Sequence, residues 1–446
     1  MVEIGKRRRP KGARPRKDRD AAQHDDRSGD RRAQANPGRV AAVRALVAVD
    51  EGRHLEEVLP ELLPEDPRDR ALGWFLAFGV LRTRGQLDAA LRPLLHQVLA
   101  DLDPAVRATL RVGAFETYFG RAKAHAVVSQ AVEAARSAGV GRASGLVNAV
   151  LRKLPEAPPV HANHPLWLVE RWRGRYGEAA EAWLVANGEP PPVFIVAPNG
   201  LPDGLEGESV SVEGEHGDPT VVPHVYRVTP SGPVPDLPGF DAGAFWVQDL
   251  AAVRVADLVA DAVGEGSTVL DACAAPGGKS FRMISRGLSV TAVDKRSSRL
   301  APLREGVARL GFELTAHAHD WTKGPMPEGG TFDAVLVDAP CTGLGTVRRH
   351  PEIRWRRQPS DLERAPQLQG QILSAAANHV APGGVLVYAV CSPEPEEGRD
   401  VVRVFLERHP DFVQEAALDT APPVQGEDAH AAVRLRRSGG ASEGRP

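Results

Sequence analysis

The chain has 446 residues, with 55 lysines and arginines set against 58 aspartates and glutamates, for a formal net charge of −3. A near-neutral balance points to no partner by itself, and this length allows roughly two to four domains with a substantial core. Three cysteines, none in close CxxC spacing, exclude a disulfide framework and argue against a structural metal site. Apolar runs stay shorter than the roughly 18 residues a spanning helix needs, and the basic N-terminus has no hydrophobic segment behind it to make a secretory signal. A cytoplasmic protein outside the membrane is expected, with monomer as the default state.

Residues 1–36 are poor in hydrophobics and dense in charge, with Lys6-Arg-Arg-Arg9, Lys11, Arg14, Arg16, Lys17 and Arg19 in the front half. Such a tail cannot bury enough apolar surface to fold alone and is expected to be disordered. It serves either as a non-specific phosphate contact or as a solubilising segment. Asn36-Pro37 reads as an N-cap followed by proline at the first helical position. Helical spacing then persists, for example at Val40, Val43, Leu46 and Val47 and again at Leu146, Val147, Val150 and Leu151. Residues 37–155 are therefore expected to form an all-α domain.

Pro155 to Pro159 interrupts the pattern, and a helical stretch from about Pro165 to Asn187 carries Trp167, Trp172 and Trp183. Beyond Pro190, a Gly/Pro-rich segment holds the strand-like runs Val193–Val196 and His224–Val228. Residues 156–242 thus read as a helical linker plus a small α+β insert. From 243 to 437, apolar runs at 268–270, 289–293, 334–337 and 384–390 alternate with helical patterns, which predicts a doubly wound α/β domain. A last strand is expected at 431–435 and a disordered tail at 438–446.

All three cysteines fall in segments that read as one site: Asp271-Ala-Cys273-Ala-Ala-Pro-Gly-Gly-Lys279, Asp338-Ala-Pro-Cys341 and Tyr388-Ala-Val-Cys391. Cys273 fits a packing role as well as a chemical one. Cys341 and Cys391 each follow an apolar strand into a loop, where function concentrates. Acids stand at or just past the strand ends, at Asp271, Asp294, Asp320 and Asp338. Ligands of open α/β sheets bind there. Any one of these acids is more often a helix cap than a ligand; four in the same topological place point to a ligand. Asp294, about 20 residues past a glycine-rich turn, suits a ribose diol. That turn, Ala275-Pro276-Gly277-Gly278, lacks GxGxxG spacing and suits a nucleoside with an amino-acid tail better than a pyrophosphate.

These motifs, with Trp246-Val-Gln-Asp249 and Arg348-Arg-His-Pro-Glu-Ile-Arg-Trp355, resemble the class I S-adenosylmethionine-dependent RNA cytosine-5 methyltransferases. The similarity is greatest to the bacterial 16S ribosomal RNA methyltransferases of the RsmB (Sun/Fmu) type. Residues 37–155, including Leu146-Val-Asn-Ala-Val-Leu-Arg152, resemble the NusB-like RNA-binding domain of those enzymes. The resemblance implies a Rossmann-like catalytic domain, S-adenosylmethionine as cofactor and RNA, most directly 16S ribosomal RNA, as partner. It makes Cys391 the nucleophile that adds to carbon 6 of cytosine. It assigns Asp338 to the ring edge and Cys341 to release of the carbon 5 proton. Cofactor binding falls to Cys273, Ala274, Ala275, Pro276, Gly277, Gly278 and Lys279, with Asp294 and Arg299 at the ribose, Asp320 on the adenine side, and Asp338. The stretch from Arg348 to Arg357 suits RNA phosphate and base-stacking contacts; a loop of internal salt bridges is the alternative.

Two departures stand out. The family's Arg-Val-Asn element is replaced by Val196-Ala-Pro198, and its Glu-Glu-Asn after the nucleophile by Glu396-Glu397-Gly398. Competing readings keep the chemistry but change the substrate to transfer RNA or 23S ribosomal RNA, or make the protein an RNA-binding ribosome-assembly factor with secondary methylation. An amino-group methyltransferase is disfavoured, because Asp338-Ala-Pro-Cys341 and a second cysteine replace the Asn/Asp-Pro-Pro-aromatic motif of that chemistry.

Overall fold

The computed structural model describes residues 35–213, 218–327, 329–423 and 426–439. The basic tail expected at 1–36 and the tail at 438–446 lie almost entirely outside the described residues. The first layer is helical: α1 (Pro37–Asp50), α2 (Leu55–Leu62), α3 (Pro67–Leu91), α4 (Pro104–Phe119), α5 (Ala124–Ser137) and α6 (Ser144–Leu151). One sequence device starts α1, α3 and α4. An Asn or Asp side chain accepts a backbone N–H of the first turn, and proline follows at the first helical position. Asn36, Asp66 and Asp103 are those caps. The apolar faces converge on a core that includes Val43, Leu46, Leu59, Leu76, Val80, Leu110, Phe115 and Val150.

The stretch read as one helical linker is two helices, α7 (Leu166–Tyr176) and α8 (Ala179–Ala186), parted at Gly177, which adopts a φ of 56°. Trp172 and Trp183 stack between them with ring centroids 4.0 Å apart. The insert is a four-stranded antiparallel sheet of β1 (Val193–Val196), β2 (Gly207–Glu213), β3 (Pro219–Val228) and β4 (Trp246–Val247), ordered β2-β3-β1-β4. Its last strand lies past residue 243, where the catalytic domain was expected to begin, because Trp246-Val247 pairs with β1. Val196 and Ala197, in the place of the Arg-Val-Asn element, are fully buried.

The remaining chain alternates α9 (Leu250–Ala260), β5 (Thr268–Asp271), α10 (Gly278–Ser285), β6 (Ser289–Asp294), α11 (Leu300–Leu310), β7 (Thr315–Ala318), β8 (Phe332–Asp338), α12 (Ile353–Arg356), α13 (Asp361–Ala377), β9 (Val380–Val390), α14 (Arg399–Arg408), β10 (Phe412–Asp419) and β11 (Ala431–Arg437). The sheet order is β10-β11-β9-β8-β5-β6-β7. Strands β5 to β9 pair in parallel, and β10 and β11 close the edge antiparallel. The chain order reverses between β5 and β8, which places a crevice at the carboxyl ends of β5, β6, β8 and β9.

Candidate active site

Each parallel strand delivers an acid or a thiol to that crevice. Asp271, Asp294 and Asp338 are the last residues of β5, β6 and β8, and Cys391 follows β9 directly. A cavity of about 790 Å³ opens there, lined by Cys273, Ala275, Asp294, Arg299, Asp320, Asp338, Cys341 and Cys391 among others. Sites sequence-distant by more than a hundred residues thus share one concave surface.

The two loop cysteines meet with their sulfurs 3.2 Å apart. Both are half-buried. Contact with Cys391 first, and burial second, push the Cys341 thiol well above its ordinary range, so Cys341 keeps its proton at neutral pH. Cys273 is pushed up by burial, reinforced by the charges of Asp338 and Asp271. An unionised thiol there is a packing group. Beside the cysteine pair, Lys279 Nζ donates to Asp338 Oδ2 at 2.7 Å. Burial works against the ammonium, but the Asp338 carboxylate outweighs it and raises the lysine above its usual value.

A buried carboxylate joins the two cysteine loops. Glu397 accepts from Thr342 N at 2.8 Å, Gln369 Nε2 at 3.0 Å, and the hydroxyls of Thr342 and Ser392. Its own carbonyl accepts from Tyr388 at 2.6 Å. Thr342 follows Cys341 and Ser392 follows Cys391, so Glu397 fixes the spacing of the thiols without lining the cavity. The linker helix α7 adds a clamp. Trp172 Nε1 donates to Glu394 at 2.9 Å, Arg171 pairs with Glu394 and Glu396, and Arg175 donates to the Pro393 carbonyl. Tyr388 and Trp172 stand in segments the sequence already singles out, but no pattern in the sequence records that these partners meet.

The loop from Cys273 to Lys279 turns sharply into α10. Gly277 adopts a φ of 121°, and a Cβ there would lie 2.5 Å from the Phe281 ring, so only glycine fits. Beneath the loop, Ser280 donates to Asp271 at 2.6 Å. Burial, partly offset by that bond, raises Asp271 to about 6. Asp294 stands 3.6 Å from Arg299 and accepts weakly from Arg296 N at 3.4 Å. Asp320 caps the short turn that follows it and pairs with Lys295 at 3.1 Å. Its hydrogen bond from Thr322, then the contact with Lys295, hold it down at about 2. A carboxylate for a diol, a second carboxylate beside an aromatic wall at Trp321, and Cys273 and Ala275 of the loop that leads into the glycine turn fit a nucleoside carrying an amino-acid tail.

The Arg348–Arg357 stretch does not present itself to RNA as expected. Arg349 spans Asp249 at 2.6 Å and Asp428 at 3.0 Å. Arg354 is fully buried and donates to the carbonyls of Asn163, Asn187 and Val347. Trp355 Nε1 bonds the Leu81 carbonyl at 3.0 Å, Arg356 the Gly52 carbonyl at 2.7 Å, and Arg357 the Thr342 carbonyl at 2.7 Å. The segment is an internal strap between the helical layer and the Cys341 loop. Its charge misled because backbone carbonyls, invisible as acceptors in a sequence, accept most of the hydrogen bonds that its guanidinium groups make.

A seven-stranded sheet in this order, parallel but for its last two strands and with a cavity at its switch point, is the architecture of class I S-adenosylmethionine-dependent methyltransferases. Residues 259–434 match the family model for the 16S rRNA methyltransferase RsmB/F, and residues 36–156 match the NusB family. Ribosomal RNA small subunit methyltransferase B of Xanthomonas campestris pv. campestris is 37% identical over 409 residues, covering 88% of this chain and 91% of that protein. The same-named protein of Salmonella typhi is 35% identical over 412 residues, covering 88% and 94%. The crystal structure of PH0851 superimposes with a TM-score of 0.76 at 23% identity, over 90% of this chain and 99% of that one, and supports the fold. The chain belongs to the RsmB/F family of 16S rRNA methyltransferases.

Proposed function

We propose that this protein methylates carbon 5 of a cytosine in 16S ribosomal RNA through a transient covalent bond between Cys391 Sγ and carbon 6 of the base. The observation that carries the reading is the pair of thiols 3.2 Å apart, next to the Lys279–Asp338 ion pair, in one cavity. S-adenosylmethionine, held along residues 273–279 and by Asp294, Arg299, Asp320 and Asp338, supplies the methyl group. The names of the close relatives support small-subunit ribosomal RNA as the substrate, and the NusB-family match supports RNA binding by the helical layer.

Carbon 5 of cytosine becomes nucleophilic only after addition at carbon 6, and a thiolate adds there reversibly. Asp338 hydrogen-bonds the ring edge and stabilises the enamine, with Lys279 keeping its carboxylate oriented. Cys341 stays a thiol while Cys391 is free. Once the Cys391 sulfur is bonded to carbon, the strongest influence holding the Cys341 proton in place is gone. Cys341 then gives its proton to water, and the resulting thiolate accepts the carbon 5 proton of the methylated ring, directly or through water, while the carbon 6–sulfur bond breaks and Cys391 leaves as its thiolate. The target base leaves its stack at a cost of a few kcal/mol, less in a loop than in a helix.

A covalent-trapping gel tests this. Wild type, Cys341→Ala and Cys391→Ala are each incubated with unmodified 16S RNA and S-adenosylmethionine and run under denaturing conditions. A slow band that accumulates in Cys341→Ala and is missing in Cys391→Ala is the expected result. The opposite pattern exchanges the two roles, and methyl incorporation with no adduct in any lane refutes the thiolate route.

A further inference from the structure

The catalytic cavity is not built by the methyltransferase domain alone. Two of its lining residues, His54 and Glu57, come from the helical layer. They stand at the start of α2, which is docked by the strap. Glu352, only 1% exposed, accepts from the Leu55 backbone N–H at 3.4 Å and lies 3.6 Å from His54 Nδ1. A few residues on, Arg357 holds the carbonyl of Thr342, next to Cys341. One segment therefore holds both the start of α2 and the loop that carries Cys341.

The polar groups on the cofactor side, Asp294, Arg299 and Asp320, are supplied by β6 and the segments after β6 and β7. His54 and Glu57 line the same cavity from the helical domain, with about half of the His54 side chain open to solvent. We infer that His54 and Glu57 form the substrate-side wall and hold the nucleotide that flanks the target cytosine. This rests on the RNA-methylation reading above. With Nδ1 turned to Glu352, the Nε2 of a neutral His54 is left to accept from a ribose hydroxyl, and the Glu57 carboxylate accepts from an exocyclic amine or a second ribose hydroxyl. A flanking nucleotide gripped from a different domain ties entry of the target base to correct seating of the helical layer on the RNA.

The test compares wild type, His54→Ala/Glu57→Ala and Glu61→Ala for methyl transfer to a 16S RNA transcript, and measures the affinity of each for S-adenosylhomocysteine. Glu61 lies on the same helix, exposed and paired with Arg53, and reports any general disturbance of α2. Expected is a rise of about tenfold in the KM for RNA in the double variant, the size of losing one or two hydrogen bonds to a charged partner. The affinity for S-adenosylhomocysteine stays unchanged, and Glu61→Ala behaves as wild type. An RNA KM within twofold of wild type overturns the inference. So does an equal weakening for S-adenosylhomocysteine, which would put the wall on the cofactor side, or an equal effect in Glu61→Ala. Wild type that fails on the transcript removes the RNA-methylation reading itself, and the inference with it.

Discussion

Replacing Glu397 with alanine removes an acceptor shared by the two cysteine loops. Four buried donors lose their partner: the Thr342 N–H, the Thr342 and Ser392 hydroxyls, and the Gln369 amide. The two hydroxyls, 3.4 Å apart, can turn toward each other, and Gln369 keeps its bond to the Pro340 carbonyl. The Thr342 N–H has no such substitute. With about 1–3 kcal/mol for each buried donor left unsatisfied, and one or two left so, the loss is about 1–6 kcal/mol, a large share of the roughly 5–15 kcal/mol that holds a protein folded. Glu397→Gln keeps one carbonyl acceptor and allows the hydroxyls to accept from its amide, so it loses about 1–2 kcal/mol. Urea unfolding gives the stabilities, and the yield of RNA adduct in a Cys341→Ala background reports whether Cys391 is still positioned. Glu397→Ala is expected to lose most of the adduct, and Glu397→Gln to retain it. An alanine variant within 1 kcal/mol of wild type, with normal adduct yield, would refute the role of Glu397 as the tie between the loops.

Asp294→Ala should weaken S-adenosylhomocysteine binding by about 1.5–3 kcal/mol, or ~10–100-fold, as calorimetry would show; unchanged affinity would remove Asp294 from the ribose. Arg354→Ala should destabilise the fold by about 3 kcal/mol in thermal or urea unfolding, because it strands several buried carbonyls that now share one guanidinium. Burial first, and the nearby Lys279 second, depress His430 to about 4. A base with a depressed folded value contributes stability present above about 6.5 and lost as pH falls toward 4, worth at most about 3 kcal/mol. His430→Gln should flatten the stability profile in that window; an unchanged slope between pH 6.5 and 4 would contradict it.

Much of the site is readable from the chain because its reactive groups sit at strand ends, where the apolar run itself marks the position. Cys341, Cys391, Asp338 and the 273–279 loop all follow this rule. What escaped was everything joined across long loops. Glu397 is 55 residues from Thr342 and Glu352 is 297 from Leu55, and no local pattern records such a meeting. The strands missed, β2, β4, β7 and β10, are edge strands; β4 has only two residues, and the others have largely exposed faces, so their apolar alternation is weak. The strap failed for another reason: a run of arginines looks the same whether its donors face phosphates or carbonyls of the same chain.

That strap also limits how the molecule can be taken apart. Family boundaries invite a cut between a NusB-like half and a catalytic half, as if two modules shared a tether. A catalytic fragment cut free at residue 156 would retain Trp355 and Arg356 without the carbonyls of Leu81 and Gly52, and Glu352 without the Leu55 amide. It would also lack two residues of its own active-site wall. For anyone engineering or transplanting this enzyme, the indivisible unit runs from Asn36 to the final strand, and a chimera should exchange both halves together with the ten residues that lace them.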